Sequence, residues 1–206
     1  VPTFSGPVVL IDVGANIEPK PKHLAQYGLM GHVYARRILT IDSPRVALMN
    51  IGDEEQKGTR QLQEAHELLK GISRLNYTGF VEGRGLFTGD ADVIVTDGIV
   101  GNVAIKVAEG LSTSLLQGLS RELHALDPDL TRRMKPVMQA IMDRHDYHEY
   151  GGAPLLGVNG TCLIAHGSSE ARTITNGVRC ACEHIWAGVN EAIIDGLNET
   201  TEEVTA

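Results

Sequence analysis

Glycines and small polar residues recur in this chain of 206 residues at the positions where predicted strands end. The carboxyl ends of parallel strands meet at one edge of a sheet, and open α/β sheets bind their ligands there. Five such clusters follow one another, at residues 12–16 (DVGAN), 50–58 (NIGDEEQKG), 97–102 (DGIVGN), 150–157 (YGGAPLLG) and 166–169 (HGSS). One cluster alone is typical of a turn. Five of them predict a binding site at one rim of the sheet.

The fingerprints of common nucleotide and hydrolase sites are missing from the sequence. Residues 83–89 (GRGLFTG) begin like a dinucleotide-binding loop, but Thr88 stands where the third glycine is required. The chain has neither a G-x-x-x-x-G-K-[ST] phosphate loop nor a G-x-S-x-G nucleophile elbow. His145, His148 and Glu149 are typical of a solvated stretch beside a glycine loop. The sequence therefore predicts no metal site and no cofactor.

The composition is that of an acidic globular protein. The chain carries 18 Lys and Arg against 26 Asp and Glu, a formal net charge of −8. This balance argues against a nucleic-acid partner, because phosphate neutralisation requires a basic face. No apolar run approaches the roughly 18 residues of a membrane-spanning helix. Three cysteines cannot make a complete disulfide framework, so we expect reduced thiols, Cys162 among them, packed in the core of a cytoplasmic protein.

Strand-like and helix-like segments alternate along the chain. Short apolar runs predict strands at residues 7–13, 45–51, 76–81, 92–96 and 161–165. Apolar residues at helical spacing predict helices at residues 21–39, 58–71, 101–126, 128–144 and from 168 towards 197. This alternation predicts an α/β fold with a Rossmann-like, mostly parallel sheet and flanking helices. We expect one α/β domain over residues 1–198 and an acidic disordered tail over residues 199–206.

The glycine-rich segments, taken with the strands that precede them, resemble one known family. LIDVGAN (10–16), PRVALMNIGDEEQKG (44–58), TDGIVGNVAIK (96–106), YGGAPLLGVNG (150–160) and HGSS (166–169) are similar to the PlsX family in order and spacing. That family comprises the bacterial acyl-carrier-protein:phosphate acyltransferases. Its members begin with a further α/β portion bearing DAMGG-type and SAGNTG-type motifs, which this sequence lacks. The resemblance thus covers the C-terminal part of such an enzyme.

The resemblance implies a fold and a reaction. The fold is like that of isocitrate and isopropylmalate dehydrogenases, with a protruding helical hairpin. The reaction moves a fatty acyl group from the thioester of acyl carrier protein to inorganic phosphate and gives acyl phosphate for phospholipid synthesis. Acyl carrier protein and inorganic phosphate are therefore the expected partners. Such chemistry needs a cation and N–H donors for phosphate, and further donors for the thioester oxyanion.

Three residues are predicted to be catalytic. Lys57 lies in a glycine-flanked loop before a helix and is either the cation for phosphate or a surface lysine. Asn102 either donates to phosphate or to the oxyanion, or it caps a helix. His166 either protonates the departing thiolate or orients substrate, or it has a structural role.

The glycine-rich clusters provide the remaining predicted site, because backbone N–H groups in such loops bind anions. The predicted substrate-binding or phosphate-binding residues are Asp12, Gly14, Asn16, Gly52, Asp97, Gly98, Gly101, Gly151, Gly152, Ser168 and Ser169. For Asp12, Asn16 and Asp97 the alternative role is loop capping. Ser168 and Ser169 are expected to cap the last helix and can also bind phosphate.

A helical hairpin is predicted at about residues 111–146, with its hinge at Asp127-Pro128. Its apolar stripe comprises Leu115, Leu116, Leu119, Leu123, Leu126, Leu130, Met134, Val137, Met138 and Ile141, and its basic residues are Arg132, Arg133, Lys135 and Arg144. The stripe fits packing of the hairpin on itself, a homodimer contact, or a peripheral contact with an anionic membrane. The PlsX resemblance implies both dimerisation and association with the membrane surface.

Two other functions stay open. One is a metal-dependent NAD dehydrogenase of the isopropylmalate type, which needs clustered aspartates for Mg²⁺. Asp92 and Asp97 are separated by a predicted strand, so they match that requirement poorly. The other is a non-catalytic fragment that docks a carrier protein or a membrane, and it predicts binding without turnover.

Overall fold

The computed structural model describes residues 1–3, 5–144, 151–165, 167 and 169–205, which form six strands and six helices that alternate up to the third helix. The strands are β1 (Val9–Ile11), β2 (Arg45–Met49), β3 (Asn76–Val81), β4 (Val93–Val95), β5 (Ala153–Pro154) and β6 (Leu163–Ile164). The helices are α1 (Pro21–Arg37), α2 (Arg60–Lys70), α3 (Gly98–Leu126), α4 (Pro128–Arg144), α5 (Ala171–Trp186) and α6 (Val189–Thr205).

Four strands form the main sheet in the order β1-β4-β2-β3, and all neighbouring strands are parallel. Ile94 of β4 lies between Leu10 of β1 and Ala47 of β2. Because the strands run in one direction, the loops that follow them leave from a single edge, which we call the carboxyl edge. The predicted α/β fold with a mostly parallel sheet is confirmed. The likeness to isocitrate and isopropylmalate dehydrogenases stays a prediction.

Both faces of the main sheet are covered, as apolar parallel strands require. Successive residues of a strand point to opposite faces. On one face Leu48 packs with Leu24 of α1 and Leu69 of α2. On the other face Ile94 packs with Leu86, which belongs to a short 3-10 helix. The main sheet is therefore stabilised by packing contacts with residues from the first half of the chain.

The segment predicted as a strand at residues 161–165 lies outside the main sheet. Its central residues form β6, which pairs antiparallel with β5. Pro154 lacks an N–H group, so β5 is suited to an isolated pair of this kind rather than to a central strand. Cys162 precedes β6 and is exposed, so the expectation that it packs in the core is wrong.

The helix predicted from residue 168 towards residue 197 is two helices. Gly188 has a φ of +61°, a left-handed conformation that ends a helix and favours glycine. After this break α6 returns to α1, where Val189 and Ile193 pack with Met30. The helix continues to Thr205, whereas the sequence predicted a disordered tail from residue 199.

Two contacts explain why the tail begins as a helix. The Glu199 carboxylate pairs with the guanidinium of Arg74, which follows α2. The Thr200 hydroxyl donates to the carbonyl of Gly196 at 2.8 Å. The acidic residues of the tail would repel one another in isolation. The ion pair of Glu199 with Arg74 links the start of this tail to the rest of the domain.

α3 and α4 form the predicted hairpin, which we call the arm. Asp127 joins the two helices with an extended backbone, and none of the residues from 102 to 143, all described, is buried. The exposed apolar residues of α3 include Ile99, Val103, Val107, Leu111, Leu115 and Leu119, which recur every four positions. By length and composition α3 could cross a membrane, contrary to the expectation from sequence.

Candidate active site

The loop after β1 is closed by the carboxylate of Asp12. Its Oδ1 accepts from the N–H groups of Gly14 (2.9 Å) and Ala15 (2.8 Å), and its Oδ2 accepts from the N–H of Asn16 (2.7 Å). The Asn16 amide donates in turn to the hydroxyl of Tyr27 at 3.0 Å. Asp12 is buried, so it and Asn16 shape the loop, which is the capping alternative for both residues.

α3 begins against this loop. The Oδ1 atom of Asp97 accepts a backbone N–H from the first turn at 2.8 Å and so caps the helix. The N–H of Gly98 donates to the carbonyl of Asn16 at 2.9 Å. A Cβ on Gly101 would lie 1.9 Å from the carbonyl oxygen of Asp12, so only glycine permits this approach. Asp97, Gly98 and Gly101 therefore seat α3 on the carboxyl edge.

Asn102 lies at this junction and is exposed. It belongs to the second turn of α3, so the helix-cap alternative is wrong for it. A Cβ on Gly14 would lie 3.9 Å from the Cβ of Asn102, which places the side chain beside the loop after β1. The Asn102 side chain thus lies at the carboxyl edge, and its predicted contact with a ligand stays a prediction.

The loop after β2, residues 50–58, is organised by the buried side chain of Asn50. Its Nδ2 donates to the carbonyl of Lys57 at 3.0 Å, and its Oδ1 accepts from the N–H of Ile51 at 2.8 Å. One amide therefore holds both ends of the loop. Since β2 and β4 are neighbours in the sheet, this loop leaves the carboxyl edge next to the start of α3.

Lys57 folds back across Gly52. A Cβ on Gly52 would lie 2.8 Å from the Nζ of Lys57 and 2.7 Å from the Oε2 of Glu54, and these two atoms are 2.6 Å apart. The hydrogen bond from Lys57 lowers the pKa of the Glu54 carboxyl, and the same bond raises the pKa of Lys57. Gly52 is buried, and its N–H has no acceptor among the described residues. The loop thus offers an ammonium group and an N–H donor side by side.

An open cleft of about 570 Å³ lies at the same edge, between the segment that precedes α1 and the start of α2. Asp97, Lys20 and Arg60 are among its lining residues. The amide of Gln61 donates to the carbonyl of Pro19 and ties the two walls together. Glu18 and Glu64 also line the cleft, and Arg60 pairs with Glu64 at 2.7 Å, so the charges of the cleft are mixed.

Aspartates that a metal-dependent dehydrogenase would need are engaged in structural bonds. Asp92 makes a two-point pair with Arg45, with distances of 2.9 and 3.0 Å. Asp97 caps α3. No group of three or more His, Cys, Asp or Glu residues that could hold a metal ion occurs among the described residues. This arrangement disfavours the dehydrogenase alternative.

Gly151 and Gly152 pack in another part of the molecule. A Cβ on Gly151 would lie 2.0 Å from the nitrogen of Gly177 in α5. A Cβ on Gly152 would lie 2.7 Å from the carbonyl oxygen of Ile164 in β6. Both glycines thus allow close backbone packing of β5 with its neighbours, and their predicted contact with substrate stays a prediction.

Comparison with known proteins decides the family. A family model described as "Fatty acid synthesis protein" matches residues 1–192. The chain belongs to this family. It is 47% identical over 204 residues to a phosphate acyltransferase of Lawsonia intracellularis, covering 97% of this chain and 59% of the relative. It is 48% identical over 198 residues to a phosphate acyltransferase of Desulforamulus reducens, covering 96% of this chain and 59% of the relative.

These relatives confirm the PlsX resemblance. A third, the phosphate acyltransferase of Dictyoglomus turgidum, is 44% identical over 205 residues, which are 98% of this chain and 61% of the relative. The chain thus spans about three fifths of the length of the curated relatives it matches.

The last glycine-rich motif of the family is only partly described. His166 and Ser168 lie outside the described residues, so their predicted roles stay predictions. α5 begins at Ala171 with Glu170 at its N-cap, so the expectation that Ser169 caps this helix is wrong. The Ser169 hydroxyl is buried and has no hydrogen-bond partner among the described residues. It remains a candidate for contact with phosphate.

Sequence reasoning missed the residues that hold the site in place. Asn50 stands within the quoted segment 44–58, and its position directly after an apolar strand was the signal for a loop-organising amide. Lys20 and Arg60 border the cleft, and only their positions next to two helix starts could have indicated them. Tyr27 supports Asn16 from within α1, a contact that no spacing in the sequence shows.

Proposed function

We propose that this chain carries the phosphate-binding part of an acyltransferase that moves a fatty acyl group from acyl carrier protein to inorganic phosphate. One observation carries the proposal: the Lys57 ammonium lies over buried Gly52 in a loop at the carboxyl edge. Charge-assisted bonds from an ammonium and backbone N–H groups are typical of phosphate recognition. The names of the relatives, phosphate acyltransferase, support the same reaction class.

The chemistry requires little covalent help from the protein. A phosphate oxygen attacks the thioester carbonyl carbon, the C–O bond forms, and the C–S bond breaks to release a thiolate that takes up a proton. Lys57 would hold phosphate, and the amide of Asn102 would donate to the oxyanion that develops on the carbonyl. His166 would supply the proton to the thiolate.

Glu54 competes with phosphate for Lys57. The Glu54 carboxylate lies 2.6 Å from the Lys57 ammonium. A bound phosphate must therefore displace this carboxylate or share the ammonium with it. Asp53 and Glu82 also raise the pKa of Lys57, after Glu54 itself. The neighbouring carboxylates thus favour the charged form of Lys57, and the same negative charges oppose binding of a phosphate dianion.

The test is release of carrier thiol from a long-chain acyl carrier protein, with and without inorganic phosphate. We expect phosphate-dependent release that is lost in Lys57→Ala and retained in Lys106→Ala. Lys106 is the matched control, because it also pairs with a glutamate three positions away, at 2.9 Å, but lies in the arm. Glu54→Gln should lower the KM for phosphate about threefold, since it removes a competing charge.

Two results would contradict the proposal. Release that does not depend on phosphate indicates a thioesterase. If the chain releases no thiol, ³¹P line broadening measures phosphate binding directly, and equal broadening by wild type and Lys57→Ala places phosphate elsewhere.

We further propose that the arm is a homodimer contact and reaches a membrane surface from the cytoplasm. The exposed row on α3 supports this, since Leu115 is 63% and Leu119 is 47% exposed and monomers rarely leave such a row in water. Leu111→Ser with Leu115→Ser should shift the protein from dimer to monomer in light scattering and weaken sedimentation with anionic vesicles. An unchanged mass would contradict the proposed dimer contact, and unchanged sedimentation would contradict the proposed membrane contact.

A further inference from the structure

One face of α2 is directed at the loop that carries Lys57. Gln63, His66 and Lys70 stand three and four positions apart, so they share this face. The Gln63 amide donates to the carbonyl of Gln56 at 2.9 Å. The Lys70 ammonium lies 3.5 Å from the carboxylate of Glu55. Two consecutive residues of the loop are therefore contacted from one helix.

His66 lies between these two contacts and is buried, with 5% of its surface exposed. Its ring stacks on Phe80, with centroids 4.6 Å apart, and its Nδ1 lies 2.8 Å from the hydroxyl of Tyr77. Burial, with a smaller contribution from Glu67, raises the pKa of Tyr77. We assign the ring hydrogen to Nε2, because two carboxylates face that atom, and Nδ1 then accepts from the Tyr77 hydroxyl.

That Nε2 atom is buried and has no hydrogen-bond partner among the described residues. Two carboxylates face it, Glu55 at 3.8 Å and Glu67 at 3.9 Å. A buried donor without a partner is costly, and the exposed carboxylates need to move by less than about 1 Å to accept from it. Glu55 belongs to the loop, whereas Glu67 belongs to α2 itself.

We propose that His66 is a positioning residue for the loop at residues 50–58, acting through a hydrogen bond from Nε2 to Glu55. Together with Gln63 and Lys70 it holds the loop from the α2 side, while Asn50 holds it from the β2 side. Lys57 is then kept over Gly52. The inference that α2 orders the loop is drawn from the contacts of α2 alone. Only the consequence of this ordering for acyl transfer rests on the proposed function.

Limited trypsin digestion tests the ordering without any assay of acyl transfer. Cleavage after Lys57 reports opening of the loop, and cleavage after Arg45 in β2 reports global unfolding. His66→Phe keeps the stacking on Phe80 but removes the donor, so we expect cleavage after Lys57 to rise about tenfold with cleavage after Arg45 unchanged. His66→Gln restores a donor at the position of Nε2 and should stay within about twofold of wild type.

The two glutamates provide a matched pair. Glu55→Gln should raise cleavage after Lys57 about threefold, and Glu67→Gln should leave it unchanged. Equal effects of the two substitutions, or a rise after Arg45 that parallels the rise after Lys57 in His66→Phe, would overturn the proposal and leave His66 a core residue. If His66→Phe fails to fold, Glu55→Gln is compared with Lys70→Gln, which removes only the other partner of Glu55, and equal effects of these two variants would overturn the proposal.

Thiol release then separates the two proposals. If wild type releases thiol with phosphate, His66→Phe should raise the KM for phosphate about tenfold with kcat little changed, because Lys57 is misplaced and the reacting atoms are not. A fall in kcat at constant KM would overturn the positioning role. If wild type releases no thiol, ³¹P line broadening tests the proposed phosphate binding, while the digestion result separately decides the role of His66.

Discussion

The main sheet and the arm use apolar residues in opposite ways. In the sheet, Leu48, Val93 and Val95 are fully buried in the core formed with α1 and α2. In the arm, Leu111 and Leu115 are more than half exposed. Both regions form regular structure, yet only the sheet buries its apolar side chains fully within this chain. The contrast shows that the apolar row of α3 contributes little buried surface to the described chain, which agrees with the proposed contact of the arm.

The same contrast extends to charged pairs. The pair of Arg45 and Asp92 joins β2 to the start of β4, and the side chain of Asp92 is 20% exposed. The pair of Arg132 and Asp129 lies on α4, and both side chains are at least three-quarters exposed. A partly buried two-point pair contributes far more to stability than an exposed pair within one helix.

The largest expected effect comes from truncating a leucine in each region. Leu48→Ala should lower the free energy of unfolding by about 2–5 kcal/mol, because it leaves a cavity in the core. Leu115→Ala should change it by less than about 0.5 kcal/mol, because the side chain is exposed. Urea unfolding of the monomer measures both. A cost for Leu115→Ala like that for Leu48→Ala would show that the arm is packed within the chain.

The next effect comes from the charged pairs. Asp92→Asn should cost about 1.5–3 kcal/mol at neutral pH, and Asp129→Asn less than about 1 kcal/mol. The hydrogen bonds from Arg45 lower the pKa of Asp92 below its ordinary value of 3.8. Its contribution is therefore present above that value and is lost as pH falls through the lower folded-state pKa.

The measurement is urea unfolding of wild type and Asp92→Asn between pH 7 and pH 3. The two curves of stability against pH should stay parallel near neutrality and converge at the acid end. A constant difference down to pH 3 would show that the loss comes from packing and not from the charge.

A smaller effect is expected at the junction of the two regions. Gly101→Ala should cost about 1–3 kcal/mol, because its Cβ would overlap the carbonyl oxygen of Asp12. Gly110→Ala, in the same helix but with open space around it, should stabilise the protein by up to about 1 kcal/mol. Thermal unfolding measures both. Equal shifts in Tm would show that α3 is not seated on the loop after β1.

Much of the fold was predictable because apolar runs and helical periodicity report burial directly. All four strands of the main sheet lie within their predicted segments, and α4 has its predicted bounds. The division of the last helix was missed, because Gly188 is one glycine in a helical pattern and only its backbone conformation ends the helix. The pairing of β6 with β5 was missed because partner choice depends on contacts distant in sequence.

The candidate site was predictable in its loops and not in its contacts. Glycine and asparagine after apolar strands indicated the loops at residues 12–16 and 50–58, since turn chemistry is local. The Asp12 carboxylate accepts from three backbone N–H groups of the loop, and only folding brings these donors together. The contacts that reach residues 55 and 56 likewise come from α2, and sequence spacing does not reveal them.

The position of β4 has a consequence for how the chain folds during synthesis. β4 is the last of the four strands in sequence, yet it lies between β1 and β2. β2, α2 and β3 are adjacent in sequence and can assemble early, whereas the strand that pairs with β1 among the described residues, β4, leaves the ribosome later. Such non-local pairing is slow. A chain arrested before residue 93 would therefore leave the edges of β1 and β2 that β4 covers open to aggregation.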